Sequence, residues 1–142
     1  MAGLNGIFDV AGTGMSAQSV RLNATASNLA NAHSASSSTD QTYRARHAVF
    51  SAIHDEMLQN GRVVKPEGGV EVLGVVESQA PLDKRYEPDH PQADGDGYVY
   101  YPNVNVVDEM ANMMSASNSF QANVEMLNTV KNMISRVLTL GQ

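Results

Sequence analysis

Gly12-Thr13-Gly14-Met15-Ser16-Ala17 fits G-x-G-x-x-A, the spacing with which glycines let a helix amino terminus approach a pyrophosphate. That chemistry needs a buried strand beforehand and an acid closing a second strand about 20 residues on. A Ser-rich stretch stands there instead, so the glycines read as places where another helix packs closely. Asp94-Gly95-Asp96-Gly97 resembles the opening of a calcium loop, whose alternate carboxylates converge on a hard cation. Tyr98 follows, and no bidentate Glu comes where the loop would need it, which leaves a solvated acidic turn. His33, His47, His54 and His90 show neither H-E-x-x-H nor any helical pair spacing, and no G-x-S-x-G elbow is present. The expectation is no catalytic residue, no cofactor, no metal and no small-molecule substrate. Met110, Met113, Met114, Met126 and Met133 could line a groove-binding helix, which keeps a soluble coiled-coil adaptor with a Met-rich helix as the alternative reading.

The elements that carry these residues follow from periodicity. Residues 1–32 hold only Asp9 and Arg21 as charges, and Phe8, Met15, Leu22 and Leu29 recur every seventh position, which predicts a helix. Ala11, Gly12, Ser19, Thr25 and Ala26 lie between them as small side chains. Two glycines cost about 1 kcal/mol each in a helix interior, so this helix needs packing partners. From Val106 the period returns through Met110, Met113, Ser117, Phe120, Val124, Leu127, Lys131, Ile134 and Leu138, a rod of roughly 50 Å at 1.5 Å per residue. Gly141 suits a helix C′ position.

Between the helices, residues 33–42 form a Ser-rich linker, and Tyr43 to Ile53 and Val70 to Glu77 read as strands. Asn60-Gly61 signals a hairpin turn running into Arg62, Val63 and Val64, and Gly68-Gly69 a second turn. Residues 80–97, with three prolines and five carboxylates, predict an irregular loop without regular structure. The fold class is α+β: long N- and C-terminal helices forming a coiled-coil-like pair that brackets a small β-rich middle with irregular loops. Three segments follow: 1–32 and 103–142 as helical core, 33–102 as linker and outer β-rich part.

The chain has 142 residues, 17% of them charged, and a net charge of -6, which repels phosphate backbones and argues against nucleic acid as a partner. With no Cys there is no disulfide, thiolate site or thiol nucleophile. The amino end shows neither the basic nor the apolar region of a secretory signal, so any export is expected to bypass a cleavable leader. The last helix carries Asn112, Ser115, Ser119, Asn123, Asn128, Asn132 and Ser135 where Lys and Glu are usual. Amides and hydroxyls are cheaper to desolvate than charges, so this surface suits an assembling subunit.

RLNATASNLANA, YEPDHPQADGDGYVYYPNVNVVDEM and SASNSFQANVEMLNTVKNM together resemble the axial proteins of the bacterial flagellum, and most closely its proximal-rod members. The resemblance spans nearly the whole chain. It marks Asn28, Asn31, Pro91, Asp94, Gly97, Tyr98, Pro102, Asn103 and Asn123 as motif residues; Phe120 and Asn118 stand where relatives usually carry Tyr and Arg. It implies a non-enzymatic subunit of the basal-body rod, polymerising through its terminal helices into a hollow drive shaft between inner-membrane ring and hook. Phe8, Met15, Leu22 and Leu29 on one helix, and Met110, Met113, Phe120, Val124, Leu127, Ile134 and Leu138 on the other, would then be the assembly seam. The implied partners are its own copies, the other proximal and distal rod proteins, the inner-membrane ring and export-gate adaptor, and the flagellar type III export apparatus. The implied location is the rod where it spans the periplasm.

Overall fold

The computed structural model describes residues 2–53 and 68–140. It is α+β, in the order α1 (Ala2–Asn31), β1 (Arg46–Ile53), β2 (Gly69–Glu77), β3 (Asp83–Tyr86), β4 (Tyr98–Tyr101) and α2 (Val106–Leu140). Contacts divide the chain into two units, residues 1–20, 50–73 and 115–142 in one, and 21–49 and 74–114 in the other.

Both expected helices form. α1 stops where its last carbonyls find other donors: Asn31 Nδ2 bonds the Ser27 carbonyl at 2.8 Å, and the Ser34 amide and hydroxyl bond the Asn31 carbonyl at 3.0 and 2.8 Å. α2 opens on an N-cap, the Asn105 Oδ1 accepting from the Val107 amide at 3.1 Å, with Asp108 and Glu109 in the first turn beside the positive end of the helix dipole. Its 35 residues amount to roughly 52 Å of continuous helix.

β1 and β2 form a two-stranded sheet, as the Val alternation predicts, tied at one end by the exposed ion pair of Arg46 with Glu77 at 3.1 Å. The Asn60-Gly61 turn and its Arg62, Val63 and Val64, like Gly141, lie outside the described residues. Gly69 begins β2 rather than occupying a turn; a Cβ there would stand 3.0 Å from Thr13 Oγ1, the atom that accepts from the Val70 amide at 3.3 Å.

Residues 80–97 are not without regular structure. Asp83–Tyr86 pairs antiparallel with Tyr98–Tyr101, Lys84 opposite Tyr100 and Tyr86 opposite Tyr98. Tyr86 is the one aromatic of β3, and no aliphatic residue announces this strand; its partners supply the attraction. Lys84 Nζ sits 3.8 Å above the Tyr98 ring, Arg85 lies 4.7 Å from that of Tyr101, and Tyr86 meets Tyr98 edge to face at 5.3 Å. Val99 of β4 is fully buried and contributes about 2 kcal/mol of apolar transfer. The Ser-rich stretch is likewise more than a linker, since Ser36 and Tyr100 exchange backbone hydrogen bonds at 3.0 and 2.9 Å.

Candidate assembly surface

Within the second unit, two asparagines hold the backbone of a single dipeptide. Asn28, fully buried on α1, accepts at Oδ1 from the Arg46 amide at 2.8 Å and donates from Nδ2 to the Arg46 carbonyl at 2.8 Å, so its carboxamide mimics a neighbouring strand. The Tyr43 hydroxyl donates to the same Oδ1 at 2.9 Å. Asn103, just before α2, accepts from the Ala45 amide at 2.8 Å and donates to the Ala80 carbonyl at 2.8 Å. Buried amides of this kind must be matched, and the outcome is a clasp joining the end of α1, the mouth of the β1–β2 sheet and the approach to α2. Arg44 reinforces it through the Ser78 and Ala80 carbonyls at 3.3 and 3.2 Å.

The loop joining β3 to β4 is fixed by Asp94. Its Oδ1 accepts from the amides of Asp96 at 2.9 Å and Tyr98 at 2.8 Å, so this carboxylate organises backbone. Gly97 sits at φ 80°, and a Cβ there would approach Tyr86 to 3.0 Å and Pro88 to 3.2 Å, a position only glycine fills comfortably. Pro91 is exposed, Tyr98 half-buried and Pro102 buried at the exit of β4. The Tyr101 hydroxyl donates to Glu87 Oε2 at 3.0 Å, and desolvation first, then this bond, raises the Tyr101 pKa.

Gly12 and Gly14 lie in the interior of continuous helix, where their amides serve the helix ladder and offer no cradle for phosphate. Gly14 is instead a point of close approach, since a Cβ there would stand 3.0 Å from Asn123 Nδ2. The buried positions of α1 are small or polar, Ala11, Ala17, Ala24, Thr25 and Asn28, followed by Ala32 just past its end, with Phe8, Met15, Leu22 and Leu29 half-buried. On α2 the buried stripe is Glu109, Ala116 and Val130, spaced at heptad multiples through half-buried Asn123, and Met113, Phe120, Leu127 and Ile134 are half-buried beside it. Met110 and Val124 stand one position away and expose 54% and 36% of their surface. The Leu138 side chain lies outside the described ones. Val107, Met114, Met126, Met133 and Val137 are exposed as well, so α2 presents large apolar side chains to its surroundings. A hydrophobic residue count misses the stripe, because its members are an acid, an alanine, an amide and a valine; their seven-residue spacing is the signal that could have found them.

Polar side chains spent on holding backbone, and apolar ones left on the outside of a long helix, define a structural protein with interacting terminal helices. Comparison with known proteins agrees. The profile of the flagella basal body rod protein family matches residues 8–33, and that of the flagellar basal body rod FlgEFG protein C-terminal region matches residues 96–140. The flagellar basal-body rod protein FlgC of Salmonella typhimurium is 54% identical over 142 residues, covering all of both chains, and that of Escherichia coli O157:H7 is 55% identical over the same span. The FlgC of Borreliella burgdorferi is 31% identical over 150 aligned positions, covering 99% of each chain. The chain belongs to the FlgC family of flagellar basal-body rod proteins and is a structural subunit of that rod. No helix among the described residues is long and apolar enough to cross a membrane.

Proposed function

We propose that the protein polymerises through α1 and α2 into a hollow shaft that carries torque from the inner-membrane ring to the hook. Residues 1–32 and 103–142 form the axial core in this reading, and residues 33–102 face outward. The supporting observation is the set of exposed apolar side chains on α2, among them Val107 at 74%, Met114 at 66% and Val137 at 67%, on a helix whose other face is already occupied. Contact with further helices removes that surface from water, at about 25 cal/mol per Å² of apolar area. The half-buried Phe8, Met15, Leu22 and Leu29, and Met113, Phe120, Leu127 and Ile134, together with exposed Met110 and Val124, line the seam.

The partners are neighbouring copies, the other proximal rod subunits, the distal rod protein, and the adaptor at the inner-membrane ring and export gate. Delivery is through the flagellar type III export apparatus, and the assembled subunit needs no cofactor, metal or substrate. The protein is no enzyme in this reading. Deletion of the gene in its native bacterium should remove rod, hook and filament while inner-membrane rings remain in electron micrographs of basal bodies. The gene supplied in trans should restore them. Normal swimming on complete flagella in the deletion strain, with no second copy of the gene, would overturn the reading.

A further inference from the structure

Met110, Met114, Met126 and Met133 on α2 each expose half or more of their surface, Met114 as much as 66%, whereas Met113 on the same helix and Met15 on α1 are half-buried. The chain has eight methionines and neither Cys nor Trp, so no thiol competes for an incoming oxidant. The polarizable thioether is then the softest nucleophile on the surface, and α2 presents four of them.

A peroxide reacts with such a sulfur without any cofactor. The sulfur lone pair takes one peroxide oxygen, the O–O bond breaks, and the departing hydroxide gains the proton of the transferred oxygen and leaves as water. Sulfur gives up two electrons and the peroxide accepts them, so thioether and hydrogen peroxide become sulfoxide and water. The product replaces a flexible apolar side chain with a strong hydrogen-bond acceptor. On an exposed helix face water satisfies that acceptor, and the fold tolerates it. Against a second helix the acceptor must give up its water, and an apolar neighbour returns no donor.

We propose that Met110, Met114, Met126 and Met133 are sulfoxidation sites of the free subunit, modified by hydrogen peroxide or another oxygen-atom donor, and that a subunit so modified is kept out of the rod. The proposal rests on the assembly reading above and makes incorporation sensitive to oxidant. The same contacts work in the other direction, because a subunit already in place has its sulfurs covered and is spared. The block is reversible, since sulfoxides are reduced enzymatically to the thioether.

The purified chain is treated with hydrogen peroxide and its peptides are followed by mass spectrometry. The four exposed methionines should gain oxygen roughly fivefold faster than Met15 and Met113, and equal rates, or Met113 leading, would overturn the site assignment. In the deletion strain, the native gene is compared with one carrying Met110→Leu, Met114→Leu, Met126→Leu and Met133→Leu together, which keeps apolar bulk but takes no oxygen. Rod-bearing basal bodies are counted after a sublethal peroxide pulse, each count relative to the same strain untreated. The native ratio should fall roughly tenfold, the factor that one unmatched polar group commands, and the variant's by less than about twofold. Equal falls in the two strains would sink the proposal. A further measurement needs no variant: after the pulse, sulfoxide at the four positions should be roughly tenfold rarer in isolated basal bodies than in the free pool of the same cells, and equal content would overturn the exclusion. None of those results touches the assembly reading, which Phe120→Asp in the same strain tests separately.

Discussion

Replacing Asn28 by Ala removes the group that satisfies both the amide and the carbonyl of Arg46, each at 2.8 Å, inside a fully buried site. The Tyr43 hydroxyl keeps Ser27 Oγ at 3.0 Å as a partner, so two backbone groups are orphaned. An unsatisfied buried group costs about 1–3 kcal/mol, and the vacated carboxamide adds a small void, for a loss of about 3–4 kcal/mol. For a chain of this size that corresponds to a fall of about 10 °C in Tm. Asn28→Asp keeps the acceptor but loses the donor and sets a buried charge against the Arg46 carbonyl, so at neutral pH it should be at least as damaging. Asn31→Ala is the control, because its amide bonds only the Ser27 carbonyl one turn back, and its cost should stay below about 0.5 kcal/mol. Thermal unfolding of the purified variants, followed by circular dichroism, measures all three. A fall below about 2 °C for Asn28→Ala, or equal falls for Asn28→Ala and Asn31→Ala, would refute the clasp.

Gly97→Ala forces a side chain into φ 80° and against Tyr86 and Pro88, and a loss of about 1–3 kcal/mol should appear in the same melts. Asp94→Asn preserves the Oδ1 acceptor and should assemble normally with or without a calcium chelator, whereas Asp94→Ala should cost about 1–2 kcal/mol; a chelator-sensitive loss in the native chain would revive a metal role. Phe120→Asp and Leu127→Asp should each abolish motility without stopping synthesis, which swimming and immunoblots check together. The raised Tyr101 pKa means that its contribution to stability is present below the ordinary tyrosine pKa and is lost as pH rises through the folded one. In a tyrosinate absorbance titration a late-ionising group should appear in the native chain and vanish in Tyr101→Phe.

The helices and the first sheet were legible because their patterns are local: seven-residue recurrence in α1 and α2, and Val alternation in β2. Asn28 and Asn103 were legible only as motif members. Nothing in the sequence says that a carboxamide at position 28 grips the backbone at position 46, since that bond joins segments through space. β3 was unreadable for a related reason. Asp83, Lys84 and Arg85 look like solvated surface until the tyrosines of β4 stand beside them. On α2 the intrachain stripe runs one residue away from Met110 and Val124, and it was not legible because Glu109, Ala116 and Asn123 carry little hydrophobicity while the exposed methionines carry much.

Six of the eight buried hydrophobic residues among those described are alanines, Ala11, Ala17, Ala24, Ala32, Ala45 and Ala116, with Val99 and Val130 beside them. In most cores truncation is the damaging kind of mutation, because large side chains leave cavities. Here there is almost nothing to truncate. Harm should instead grow with added volume, as each extra methylene pries backbones apart. A saturation scan across these six positions would then rank residues by size, with Gly and Ser tolerated ahead of Leu and Phe. The tolerance profile would mark this as a protein whose interior is specified by how closely its backbones approach.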